Sequence, residues 1–173
     1  THQDRCHPGR RERGRAKQSM TRSQQRQGAV GENRATIALR QVGVCMVDEI
    51  TTPSIVRGGK VIYTKKVRGD RRGILENGIS VLAEVKTTTG DRNLQWSDMR
   101  PHQPKDLTEH AEYNGLSLLV WVTDDDVYVM DWKDALYYGF QEGGSIDRER
   151  AGQLHKINDD WVQAITQDWR SRK

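Results

Sequence analysis

The alternation of apolar and polar positions divides the chain into short strand-like segments, glycine-marked turns and stretches of helical period. In residues 29–39 and just beyond, Val30, Arg34, Ile37, Ala38 and Gln41 recur at helical spacing, with Gly28 and Gly31 at the start and Gly43 past the end. This predicts a short helix. Residues 42–50 are apolar and β-branched and predict a strand. Residues 51–60 contain Pro53, which argues against a central strand, and Gly58-Gly59, a hairpin signal, so a projecting hairpin is expected. Strand character resumes over 61–66.

Residues 73–75 lead through Glu76, Asn77 and Gly78 into a strand over 79–86. There Ile79, Val81, Ala83 and Val85 share one face, and Ser80, Leu82, Glu84 and Lys86 share the other. Residues 104–114 read as a helix with Leu107 and Ala111 inward and Gly115 as its stop. The apolar run 116–122 reads as a buried strand, and 127–132 follows as another after the turn Asp124, Asp125, Asp126. Residues 158–173 read as a capped helix, with Asn158 at the cap, Asp159 and Asp160 in its first turn, and Arg170, Arg172 and Lys173 at its end. Its stripe of Trp161, Ile165 and Trp169 reads as core or dimer packing. The order of elements predicts an α/β (α+β) domain, a mixed sheet flanked by helices, over 28–150. A basic flexible arm (1–27) precedes it and a helical extension (151–173) follows.

Charge changes this picture mainly at the amino-terminal end. Residues 1–28 hold eight basic side chains against two acids, whereas the remaining 145 residues carry 20 basic and 22 acidic ones. The pI of 9.2 is therefore a property of the arm, which has the composition to add salt-dependent phosphate contacts. Cys6 and Cys45 form no CxxC or Cys/His cluster, which argues against a zinc site and a disulfide framework. No apolar run approaches membrane-spanning length, and the basic start lacks the apolar core of a signal peptide. The expectation is a soluble, cytoplasmic protein with no membrane partner.

The most informative chemistry lies at Asp70, Glu84 and Lys86. Phosphodiester cleavage needs an activated water and neutralisation of developing negative charge, and carboxylates that hold Mg²⁺ beside a lysine meet both needs. Glu84 and Lys86 are two apart on one strand face, so a second acid must come from a neighbouring strand. Asp70 supplies it if Glu76, Asn77 and Gly78 form a three-residue loop, which sets Leu75 against Ile79 and Asp70 opposite Glu84. A two-residue Asn-Gly turn would set Asp70 opposite Val85, on the wrong face. The chemistry thus selects the longer loop or a bulge. Alone, the acid-x-Lys pattern is a weak signal that surface residues also satisfy. It recurs at Asp131, Trp132 and Lys133, where no neighbouring strand offers a second acid.

Longer stretches resemble the RecU family of Holliday junction resolvases, within the PD-(D/E)xK nuclease superfamily. The run Gly69, Asp70, Arg71, Arg72, Gly73, Ile74, Leu75, followed by Glu84, Val85, Lys86, Thr87 and Thr88, is similar to that family's catalytic hairpin. Leu94, Trp96, Met99, Arg100, Pro101, His102 and Gln103 resemble its His-Gln helix start, Gly28 with Glu32 its first helix, and Thr51, Thr52, Pro53 its Thr-Pro region. The resemblance covers about residues 28–150. It implies a restriction-endonuclease-like core and a homodimer that resolves four-way junctions by paired symmetric nicks, nucleoid-associated, with magnesium as cofactor and manganese as a substitute. It also implies that Asp70, Glu84 and Gln103 hold the metal, Lys86 stabilises the transition state or orients the water, and Glu32 approaches from the first helix. Arg57, Lys60, Lys65, Lys66, Arg71 and Arg72 form a basic cluster expected to contact phosphates, together with Arg100. One departure is Arg68, where the family often has a metal-contacting Thr. A guanidinium cannot ligate Mg²⁺, so a backbone carbonyl takes that place, Arg68 binds phosphate, or metal affinity is reduced.

Overall fold

A computed structural model describes residues 22–51, 54–63, 68–140 and 144–155 of the chain. Most of the basic arm, Lys65, Lys66 and the helix expected over 158–173 lie outside the described residues. Helix α1 (Arg22–Gln41) leads into β1 (Val44–Glu49), a hairpin of β2 (Ser54–Arg57) and β3 (Lys60–Tyr63), then β4 (Arg71–Leu75) and β5 (Ser80–Thr87). Short β6 (Leu94–Gln95) and a 3₁₀ turn, Trp96–Asp98, precede α2 (His102–Glu112), β7 (Leu116–Val122) and β8 (Val127–Asp131). The single turn α3 (Trp132–Asp134) runs into a π-helical turn, Ala135–Gly139, before β9 (Ser145–Ile146) and α4 (Arg148–Leu154).

Five strands form the central sheet in the order β1-β4-β5-β7-β8. β5 and β7 are parallel and the other neighbours antiparallel, so the sheet is mixed, as expected. Parallel neighbours need a crossover, and α2 supplies it on the face opposite α1. Alternation along β5 therefore feeds two cores. Val81 and Ala83 join Leu39, Val42 and Leu118 under α1. Leu82 joins Leu107, Leu119, Trp121 and Trp132 on the other side. β7, covered on both faces, is buried along its whole length, which explains its near-continuous apolar sequence; its one polar residue, Ser117, donates from Oγ to the Leu107 carbonyl at 2.7 Å. The hairpin forms its own two-stranded sheet, turning at Gly58-Gly59. Among the described residues, no helix is long and apolar enough to cross a membrane.

Three expectations change. Helix α1 begins at Arg22, not near residue 29, and runs through Gly28 and Gly31. Its packed face is Ala35, Ala38, Leu39 and Val42, while Val30 and Ile37 are 60% and 57% exposed. The cause is close approach: a Cβ on Gly31 would stand 2.5 Å from Thr87 Oγ1, so the helix lies against β5 with its small residues. At the end of α2, Asn114 rather than Gly115 takes the left-handed conformation (φ 62°), and the Gly115 N–H donates to the His110 carbonyl at 3.1 Å. Gly115 is small for another reason, because the His110 ring packs directly on it. Finally, α4 crosses residue 150 and buries Ala151 and Leu154 in the second core, so the packed body reaches at least to Leu154.

Candidate active site

The β4–β5 turn sets the register of the site. The Leu75 N–H donates to the Ile79 carbonyl at 2.9 Å and the Gly78 N–H to the Leu75 carbonyl at 2.8 Å. Gly78 has φ 84°, a value that costs a residue with a Cβ. The three-residue loop is therefore present, and Arg71 pairs with Ala83 and Gly73 with Val81. One step further back, Asp70 lies opposite Glu84. Its N–H donates to the Ala83 carbonyl at 2.9 Å, and its Oδ2 accepts the Val85 N–H at 3.0 Å.

Glu84 is 2% exposed, an unusual place for a carboxylate. Lys86 reaches back along the strand, and its Nζ donates to Glu84 Oε1 at 3.0 Å and to Gln103 Oε1 at 2.8 Å. Gln103 Oε1 also accepts the Arg100 N–H at 2.7 Å, while its Nε2 donates to Glu84 Oε1. Both donors to Gln103 Oε1 fix the orientation of that amide. Burial first, and then the neighbouring Asp70 carboxylate, push Glu84 up to about 7, against the opposing pull of Lys86. The Glu84 carboxylate and the Gln103 amide oxygen thus share one ammonium, with the Asp70 carboxylate beside Glu84. This hard, oxygen-rich and net-negative donor set suits Mg²⁺ or Mn²⁺. Asp70 and Glu84 fit it directly, whereas Gln103 Oε1, which already accepts from Arg100 and Lys86, would have to give up one of these bonds to join them.

Glu32 stands apart from this pair. Among the described residues, no group of three or more His, Cys, Asp or Glu side chains is arranged to hold a metal. Instead Glu32 Oε2 accepts from Arg71 Nη2 at 3.2 Å. Arg71 is 5% exposed, and it also donates from Nε to Thr36 Oγ1 at 3.2 Å and from Nη1 to the Asp70 carbonyl at 2.9 Å. The expected phosphate contact by Arg71 does not fit this placement, since its guanidinium is spent inside the protein. It ties α1 to the backbone of Asp70.

The other expected cations scatter. Arg68 pairs with Glu109 at 2.7 Å and Asp106 at 3.5 Å on α2, so its guanidinium is held by that helix. Arg57 is exposed at the hairpin turn, Arg72 is exposed 3.9 Å from Asp48, and Arg100 is exposed where α2 begins. Lys60 sits on β3, beside that turn. The second acid-x-Lys triplet is structural: Asp131 caps α3 by accepting the Lys133 N–H at 2.8 Å. Reasoning from sequence missed Gly31 and the inward role of Arg71. The signal for Gly31 was present, a glycine inside a helical pattern; nothing local marks Arg71.

The fold is a mixed α/β one with a restriction-endonuclease-like core, and it sets the buried Glu84 beside the half-buried Asp70 and Lys86. No protein-family model matches the chain. No curated protein sequence matches it either. Among solved structures it is similar to Hjc of Archaeoglobus fulgidus, described as a Holliday junction resolvase from an archaeal hyperthermophile. The two share 10% identity and a TM-score of 0.54, over 80% of this chain and 99% of that one. That likeness concerns the fold. A second structure, SSO0001, has 18% identity over 86% of this chain and 59% of its own, with a TM-score of 0.36 too low to carry an argument.

Proposed function

We propose that this chain is a divalent-metal-dependent endodeoxyribonuclease acting on branched DNA, a RecU-like resolvase that nicks four-way junctions as a homodimer in the cytoplasm. The observation that carries the reading is the buried Glu84 carboxylate, raised by burial and by the neighbouring half-buried Asp70, with Lys86 and Gln103 bonded to it. Buried charge of this kind is costly in a purely structural role. The fold likeness to an archaeal junction resolvase supports the same reading.

Asp70, Glu84 and Gln103 would hold Mg²⁺, which supplies a water of lowered pKa and neutralises charge on the phosphate. The protein's own contributions follow from the contacts. Lys86 Nζ, restrained by Glu84 and Gln103, would face a phosphate oxygen and stabilise the charge that grows on it. Gln103 orients both side chains through the Arg100 N–H that fixes its oxygen. Arg57 and Arg100 are exposed and would meet phosphates along the strand, as would Arg72 once it leaves Asp48.

The test is a labelled four-way junction, a flap and a linear duplex, each incubated with the chain with and without Mg²⁺. Paired nicks in the junction that need Mg²⁺ and vanish in Glu84→Gln, Asp70→Asn and Lys86→Ala are expected, with junction binding kept in the two carboxylate variants. Cutting of flaps alone would retain the nuclease and discard the resolvase. Cutting by Glu84→Gln at the parent rate would remove the site assignment.

A further inference from the structure

We propose that Trp96 is a stacking platform for an unpaired DNA base within a few nucleotides of the scissile phosphate; the inference rests on the nuclease reading above. Trp96 opens the 3₁₀ turn that leads into α2, and it is 40% exposed. Its ring is nevertheless held firmly. It stacks on the buried Trp132 with centroids 6.4 Å apart and planes 20° apart, and it meets Phe140 edge-on at 5.1 Å. Its backbone N–H donates to the Gly144 carbonyl at 2.6 Å, and its carbonyl accepts the Met99 N–H at 3.0 Å. Asp98 closes the turn by accepting the Gln95 N–H at 2.9 Å. An indole fixed in this way and 40% exposed keeps part of its surface open to water with little freedom left to lose on binding.

Its position supplies the ligand. Four residues on, the Arg100 N–H donates to Gln103 Oε1, the amide oxygen that also receives Lys86. Four Cα steps span at most about 15 Å, the length of roughly four stacked nucleotides. The Arg100 side chain is exposed and makes no ion pair among the described residues. A strand whose phosphate meets Lys86 and whose next phosphates meet Arg100 would bring its bases within reach of Trp96. Every base has a π-face, so such a platform reads no sequence. It reads availability: a base inside a continuous duplex is already stacked on both sides, whereas one at a branch point can be released. Trp96 would thus favour branched or single-stranded DNA over linear duplex, while the hydrolysis itself is left to the carboxylates and Lys86.

The experiment measures binding by the full chain, in chelator, of a four-way junction, oligo(dT) and a blunt linear duplex across a salt series. Trp96→Leu keeps an apolar side chain on Trp132 and removes the π-face; Trp96→Phe keeps both. The leucine variant is expected to bind the junction and oligo(dT) roughly ten-fold more weakly, to bind linear duplex as the parent does, and to show the parent's salt slope. Arg100→Ala should instead lower the log–log salt slope by about 0.9 on duplex. Oligo(dT) should quench the parent's tryptophan fluorescence, and Trp96→Phe should bind equally well with that quench reduced, a readout that does not depend on how well the leucine variant folds. Unchanged junction and oligo(dT) binding by Trp96→Leu, or an undiminished quench in Trp96→Phe, overturns the platform while leaving the nuclease intact. A parent that binds none of the three DNAs overturns both.

Discussion

In the metal-free chain, replacing Glu84 by glutamine should raise stability above neutral pH even though it removes the proposed site. Burial and the Asp70 charge raise the Glu84 carboxyl from an ordinary 4.5 to about 7. Between those two values the folded chain holds a proton that the unfolded chain has released, so stability falls as pH rises through this window and levels off above it. At about 1.4 kcal/mol per pH unit, ionising this side chain in place costs on the order of 3 kcal/mol. Glutamine keeps the shape, and its oxygen can accept from Lys86 and Gln103 as Glu84 Oε1 does. It loses the charge-assisted part of the Lys86 bond, about 1 kcal/mol. A net gain of about 2 kcal/mol at pH 8 follows, equivalent to roughly 4–8 °C in Tm. Urea unfolding of parent and variant in chelator at pH 5 and pH 8 measures it. The gap should open at pH 8 and close towards pH 5, and saturating Mg²⁺ should stabilise the parent but not the variant. Parallel pH profiles, or equal stabilisation of both by Mg²⁺, would refute the reasoning.

Arg71→Ala should lower stability by about 2 kcal/mol through loss of its three internal contacts and slow cutting, yet leave the salt dependence of DNA binding unchanged; a slope reduced by about 0.9 would return Arg71 to the phosphate contacts. Arg71→Lys should recover only part of the loss, because one compact ammonium cannot reach the three acceptors that Nε, Nη1 and Nη2 meet from separate positions. Gly31→Ala should destabilise by about 1 kcal/mol, the clash with Thr87 exceeding the gain in helix propensity. In a Thr87→Ala background the same change should become stabilising, which thermal melts of the double-mutant cycle would show. Deleting residues 1–21, which removes six cations but leaves α1 whole, should flatten the salt dependence of DNA binding. An unchanged slope would make the arm a passenger.

Sequence alone led furthest where a period of two meets a defined turn. The alternation on β5 placed Glu84 and Lys86 together, and the three residues after Leu75 carried Asp70 to their side; both features are in the fold. It failed on α1, where counting apolar residues favoured Val30 and Ile37. What decides there is size, because a helix pressed against Thr87 packs with Ala35 and Ala38. Hydropathy carries no measure of the distance between helix and sheet. Arg71 was misread for a related reason. In a local window it is one of several basic residues, and the acceptors that draw it inward, Glu32 and Thr36, lie 39 and 35 residues away. The end of α2 was placed within a residue or two, yet its left-handed position fell to Asn114, since either residue type can serve there.

The loop of Glu76, Asn77 and Gly78 bears on how this gene can change over generations. Nothing lies within 4 Å of where a Cβ on Gly78 would be, and Glu76 is exposed, so crowding does not limit which residues stand there, although the backbone at Gly78 favours glycine. Number is another matter. Losing or gaining one codon would slide β4 by a residue against β5 and carry the Asp70 carboxylate through the sheet to the side of α1, away from Lys86. The same slip would turn Arg72 and Ile74 inward and Leu75 outward. Lineages of this chain should therefore show missense changes in these codons but no in-frame insertions or deletions, a pattern of inheritance opposite to that of most surface loops.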